Sequence, residues 1–218
     1  FDGQPRYSPQ GNHIVFVSDR SGGENLWTLN LQSGDTTQIT RGNEGSWLSP
    51  EWTPDGDYIV ASKGKTRLGV VNLWMVHTDG GLGRALISED DGLKTVGAAV
   101  SSDGRYIWHA VKNGRAWDYN AQFPQYQLAI YDRETGETFN RSSRYGSAFR
   151  PTLSPDGESL VYGTRHEDQT GLRIRDLNTG DERWLAYPVQ RDDQESIADR
   201  DIYPGMSFTP DSREVVAS

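Results

Sequence analysis

One five-residue pattern recurs five times along the 218 residues: an apolar residue, Ser or Thr, Pro, Asp and Gly, followed by an alternating apolar run. The copies are Tyr7-Ser8-Pro9-Gln10-Gly11, Trp52-Thr53-Pro54-Asp55-Gly56, Val100-Ser101-Ser102-Asp103-Gly104, Leu153-Ser154-Pro155-Asp156-Gly157 and Phe208-Thr209-Pro210-Asp211-Ser212. The final position recurs at spacings of 45, 48, 53 and 55 residues. Pro presets φ for a turn, Asp can bond its own backbone, and Gly accepts positive φ, so each copy reads as a tight turn between two strands. The segment after each turn alternates as a sheet strand should: His13-Ile14-Val15-Phe16-Val17, Tyr58-Ile59-Val60-Ala61, Tyr106-Ile107-Trp108-His109-Ala110 and Ser159-Leu160-Val161-Tyr162. A third strand follows, as at Leu26-Trp27-Thr28-Leu29 and Leu73-Trp74-Met75-Val76, then a turn ending in Gly and a short fourth strand, as at Thr37-Gln38-Ile39-Thr40.

No stretch shows a long helical stripe at i, i+3, i+4, i+7. Four antiparallel strands per repeat of ~45 residues predict an all-β fold, a β-propeller of four-stranded antiparallel blades. The blades are expected over residues 5–45, 50–90, 96–142 and 147–187, with part of a fifth over 203–218. The chain starts at Phe1 without Met and ends at Val215-Val216-Ala217-Ser218, inside an expected strand, so a piece of a larger ring and a longer protein is expected. Blades bury both faces against neighbours, so an open array is expected to dimerise, or to close on itself, through its end faces and the strand edge at Val215-Val216.

Composition narrows the function classes. The absence of Cys removes disulfide frameworks, thiol nucleophiles and zinc-ribbon sites. A net charge of −9 argues against a nucleic-acid partner, which needs a basic face. Leu68 to Val76 is the longest mostly apolar stretch and falls far short of the ~20 residues that span a bilayer. The four His (His13, His77, His109, His166) are scattered without ligand spacing, so no metal site and no cofactor are expected. His109 shares its register with Phe16, Ala61 and Tyr162, which places it between blades, where a hydrogen bond is expected. No Gly-x-Ser-x-Gly elbow or phosphate-binding loop occurs, and no catalytic residue is assigned.

The Ser-Pro-Asp-Gly turns, the Phe16-Val17-Ser18-Asp19-Arg20 strand end and the Asn25-Leu26-Trp27 strand resemble the WD-like repeats of TolB-type propellers. Such propellers occur as periplasmic TolB and as lids of prolyl-oligopeptidase-type peptidases. Tyr145-Gly146-Ser147-Ala148-Phe149-Arg150-Pro151, Tyr162-Gly163-Thr164-Arg165-His166 and the run from Trp184 to Ser196 resemble the propeller that precedes the catalytic barrel of bacterial TolB-fused amidohydrolases. The resemblance implies a non-catalytic module for protein or domain interaction, or for substrate gating. It also implies a periplasmic or secreted location and a protein or fused catalytic domain as partner. That family's His-x-His metal pair has no counterpart in this chain.

Two irregular segments are the candidate contact surfaces. Lys112 to Gln127 carries Trp117, Tyr119, Phe123 and Tyr126 outside the blade pattern. A flap folded over its own blade is the favoured reading, since large exposed apolar patches are uncommon; the alternative is a contact surface, where Tyr and Trp are preferred anchors. Pro188 to Tyr203 carries Arg191 and Asp192 among other charges, and His166 closes a strand nearby in the resemblance; contact and solvated-loop readings both stand.

Overall fold

The computed structural model describes residues 1–43, 45–64, 71–88, 93–113, 126–143, 146–166, 169–191 and 205–217, and every regular element among them is a β-strand. Blade 1 is β1 (Asp2–Tyr7), β2 (His13–Ser18), β3 (Asn25–Asn30) and β4 (Thr36–Gln38). Blade 2 is β5 (Ser46–Trp52), β6 (Tyr58–Gly64), β7 (Val71–His77) and β8 (Arg84–Ala85). Blade 3 is β9 (Leu93–Val100), β10 (Tyr106–Asn113), β11 (Gln127–Asp132) and β12 (Thr138–Asn140). Blade 4 is β13 (Phe149–Leu153), β14 (Ser159–His166), β15 (Gln169–Asp176) and β16 (Glu182–Arg191), and a final pair joins β17 (Met206–Phe208) to β18 (Val215–Ala217). Each sheet is an antiparallel meander in sequence order. First strands neighbour one another, β1 beside β5, β5 beside β9, β9 beside β13 and β13 beside β17, so they line the axis from which the blades radiate.

The recurring motif makes the first hairpin of each unit. The Ser or Thr N–H at 8, 53, 101, 154 and 209 donates to the carbonyl five residues on, at 2.8–2.9 Å. In four copies its hydroxyl donates to the Asp two residues later, at Asp55, Asp103, Asp156 and Asp211. That hydrogen bond is the main reason these carboxyls sit below the usual carboxylate range. In the first copy Gln10 stands in the Asp position and Ser8 donates to Asn12 instead, at 3.0 Å. The last turn residue is left-handed in every copy, from φ 61° at Ser212 to φ 80° at Gly56. Neighbouring turns also touch: the Gln10 side chain donates to Asp55 O at 3.3 Å, and Asp156 N–H to Ser212 Oγ at 3.1 Å.

The core lies between blades. Val15, Val17 and Leu26 of blade 1 pack on Trp47, Trp52, Ile59 and Ala61 of blade 2. Val60 and Leu73 of blade 2 meet Ile107 and Tyr131 of blade 3. Trp108 and Ile130 of blade 3 meet Leu160 and Tyr162 of blade 4, and Val161 and Leu172 of blade 4 meet Met206 of β17. Residues 188–191, expected as irregular, continue β16, which is ten residues long because β15 extends far enough to pair with it through Gln169 and Thr170.

His109 lies between blades, as its register predicts, but the expected hydrogen bond is absent: neither ring nitrogen has a partner. It is fully buried on the face of β10 that carries Ile107, toward blade 2. Ser62, opposite Leu73, and Thr95, opposite Val111, complete a set of fully buried polar side chains at this interface, with both hydroxyls unpartnered. Burial pushes the His109 pKa down to about 4. The unfolded chain therefore binds a proton that the folded chain refuses, so stability present above about pH 6.5 falls as pH drops toward 4. Over that range, at ~1.4 kcal/mol per pH unit, the loss is roughly 3 kcal/mol. His109→Phe, the residue at the matching position of blade 1, is expected to remove this part of the acid limb in urea unfolding measured from pH 7 to pH 4. An unchanged acid limb in the variant would contradict the assignment.

Candidate functional site

The axial first strands share a second local feature. Each of β1, β5, β9 and β13 carries a bulge against its partner strand. At each bulge one residue is left-handed: Gln4 (φ 57°), Ser49 (φ 52°), Gly97 (φ 69°) and Arg150 (φ 52°). Positive φ costs a non-glycine residue roughly 1–2 kcal/mol. Three blades nevertheless place a polar side chain there, followed each time by a proline, Pro5, Pro50 or Pro151. A bulge re-aims its side chain, and here the bulges turn these residues toward the axis.

The result is a narrow pit lined by Gln4, Arg6, Ser49, Pro50, Gly97, Ala98, Arg150 and Pro151, with room for about one water molecule. Ser49 N–H donates to Gln4 Oε1 at 2.5 Å and joins blades 1 and 2 across it. Arg6 Nε lies 3.3 Å from Glu51 Oε2, and the Trp52 indole donates to Arg6 O at 3.1 Å. Glu51 is tethered to its own strand by the Trp52 N–H. The scarcity of water around it raises its carboxyl pKa, against the pull of Arg6 and Arg150. Gln4 Nε2 is buried without a hydrogen-bond partner. The pit thus offers guanidinium groups and an amide donor, with the Glu51 carboxylate outside its lining against Arg6. That set can orient a polar or acidic group; it supplies no nucleophile–base pair, and no cluster of metal-ligating side chains occurs among the described residues.

Those residues singled out from the sequence that the structure describes do not line this pit. Tyr126 is 2% exposed and packs with Val96, Ala110 and Phe149, while its backbone bonds to Ser147 Oγ and Ala148 N–H. It is an inter-blade core residue and not part of an exposed contact surface, because the strand that begins at Gln127 draws it against blade 4. His166 is exposed, and its ring meets Tyr187 (5.7 Å between centroids) and Trp184 (6.1 Å). Arg191 pairs with Gln169 at the end of β16. Trp117, Tyr119, Phe123 and Asp192 lie outside the described residues. Of the described residues of that set, Tyr126 lies between blades and His166 and Arg191 lie at the far ends of β14 and β16. Sequence reading missed the axial residues, although a signal exists: Pro5, Pro50 and Pro151 each stand three residues before the Ser or Thr of a turn.

Comparison with known proteins places this architecture. A TolB homolog of Chlorobium luteolum is 34% identical over 179 residues, covering 82% of this chain and 37% of its own length. The crystal structure of TolB from Acinetobacter baumannii superposes with a TM-score of 0.76 at 21% identity, over 99% of this chain and 48% of that one. The chain is a TolB-like β-propeller. Puromycin hydrolase contains a similar propeller, with a TM-score of 0.61 at 22% identity over 100% of this chain and 33% of that enzyme. No protein-family model matches the chain. The TolB-like propeller spans 37–38% of the length of the curated TolB relatives it matches.

The left-handed serine of the pit gives a direct stability test. Ser49→Gly relieves its backbone strain and is expected to stabilise the fold by about 0.5–1 kcal/mol in urea unfolding, after the extra unfolded-state entropy of glycine is deducted. Destabilisation would show that the Ser49 side chain holds the bulge.

Proposed function

We propose that this chain is a non-catalytic propeller module that binds a protein, or a catalytic domain of its own polypeptide, at the axial pit. The observation that supports the reading is the repeated bulge. Three blades bear the strain of a left-handed non-glycine residue at the same place, and strain of this kind clusters at ligand-binding sites. The bulges present Arg6, Arg150 and Gln4 on the pit, with Arg6 also holding the Glu51 carboxyl, a set suited to an acidic or amide group of a partner.

The parent we favour is a longer periplasmic or secreted bacterial protein in which the propeller docks on a metal-dependent amidohydrolase barrel and shapes access to it. The resemblance of Phe149-Arg150-Pro151 and the run from Trp184 supports this. A stand-alone periplasmic TolB-type binding propeller is the alternative. The similarity to puromycin hydrolase supports a third reading, the lid of a serine peptidase.

A photo-crosslinking amino acid at Ala98, beside the pit, is expected to give one defined adduct in producing cells. The same group at Leu82, which is 92% exposed and away from the pit, is expected to give none. An adduct within the same polypeptide supports the fused parent, and one with a separate protein supports the stand-alone binder. Equal labelling at both positions, or hydrolase activity of this chain with or without divalent metal, would sink the reading.

Copies of this chain are also proposed to associate through end faces of the array, where Val216 of β18 is 65% exposed. Light scattering across a concentration series is expected to show dimers or larger species; a compact monomer throughout would refute it.

A further inference from the structure

The outer strands of blades 3 and 4 carry aromatic rings that the fold leaves in water. Tyr162 of β14, Arg173 of β15 and Trp184 of β16 stand in register across blade 4. Tyr162 packs with Trp108 and Ile130 of blade 3, so Arg173 and Trp184 face the same seam farther from the axis. Phe139 of β12 is the register partner of Ile130 and faces that seam from the opposite wall. Blades radiate from the axis, so the seam opens outward, and Trp184, Tyr187 and Phe139 are 37%, 38% and 40% exposed. Trp184 and Tyr187 form one platform, with centroids 4.8 Å apart and planes 40° from each other. Gly171 seats it: a Cβ there would come within 2.7 Å of both rings, and its φ is not left-handed, so space and not conformation calls for glycine. The Tyr187 hydroxyl donates to His166 O at 3.1 Å, and the His166 ring flanks the platform. Each wall also carries a guanidinium: Arg173 lies 4.7 Å from the Trp184 centroid and Arg141 5.8 Å from that of Phe139. Arg175, two residues along β15, is held by Glu182 at 3.3 Å, whereas neither Arg173 nor Arg141 makes an ion pair among the described residues. Arg173 Nε is shielded from water and has no hydrogen-bond partner.

We propose that this rim binds a proline-rich, acidic segment of a partner protein in the polyproline II conformation. Aromatic-lined grooves take such segments because proline rings stack on flat side chains and the extended helix is formed before it binds. The donor balance of the rim selects among flat-faced ligands. Arg141 and Arg173 only donate, and a guanidinium stacked on a ring keeps its edge N–H groups for an acceptor. A sugar ring brings hydroxyls that must themselves donate, whereas a proline-rich segment brings carbonyl acceptors and few N–H groups. Aspartate or glutamate between the prolines supplies the counter-charge that both guanidinium groups lack. The rim is separate from the axial pit and does not rest on the binding role proposed for it.

Fluorescence anisotropy tests this with a dye-labelled peptide of about ten residues, prolines interrupted by glutamates. The peptide is expected to bind saturably. Replacing its glutamates by lysines, or its prolines by glycines, is expected to weaken binding at least about tenfold. Trp184→Ala, on the surface of an outer strand, is expected to weaken the original peptide by at least about tenfold as well. Arg173→Gln is expected to weaken the glutamate peptide at least about fivefold and to change an all-proline peptide by less than about twofold, which separates a lost charge contact from a disturbed platform. The proposal fails if no saturable binding occurs, if the lysine or glycine peptide binds as tightly, or if Trp184→Ala binds as the unmodified chain does. It also fails if oligogalacturonate displaces the labelled peptide at a lower concentration than the unlabelled peptide does; that result would assign the rim to an acidic saccharide.

Discussion

A single four-stranded sheet has two faces and no inside, so every blade here depends on its neighbours for burial. Each hydrophobic cluster draws residues from two or three adjacent sheets. Stability is therefore distributed over interfaces, as in other repeat proteins, and blade position follows from which faces can meet. The hairpin turns make that meeting possible. With the same hydroxyl–carboxylate bond in blades 2, 3 and 4, and Ser8 bonded to Asn12 in blade 1, they bring β2, β6, β10 and β14 into the same register against the axial strands.

The interfaces are not equivalent. Between blades 1 and 2, Trp47 and Trp74 meet edge to face at 6.2 Å, with the Lys63 ammonium 4.0 Å from one ring centroid and 5.1 Å from the other. That lysine rests on π-faces and leaves the apolar seam intact. Between blades 2 and 3 the seam hides Ser62, Thr95 and His109, and between blades 3 and 4 it hides two lysines. A shared backbone plan thus carries chemistry that differs from seam to seam.

The turns were legible because they rest on local rules: Pro and Gly restrict φ, and a short polar side chain bonds its own backbone two residues on. Strand alternation was equally readable, and it placed His109 between blades. The bulges of the axial strands were not legible from composition or periodicity, since Gln4, Ser49 and Arg150 share only polarity, which most surface positions also have. Only their position before a proline unites them, and what forces positive φ there is pairing with a neighbouring strand, a non-local demand. Tyr126, an aromatic outside the repeat pattern, left packing and contact readings both open in the sequence; the approach of blade 4 encloses it.

The outer strands carry a consequence for colloidal behaviour. An outermost strand presents unpaired N–H and C=O groups, a template on which foreign chains can add and grow into aggregates. β4, β8 and β12 are three, two and three residues long, too short to seed such growth. β16 is ten residues long and would be the exception. Its ladder, however, breaks twice against β15, around Ala186, and Pro188 removes one N–H from the row. Length that gives blade 4 a wide rim is thereby kept from becoming a nucleation edge in a crowded solution.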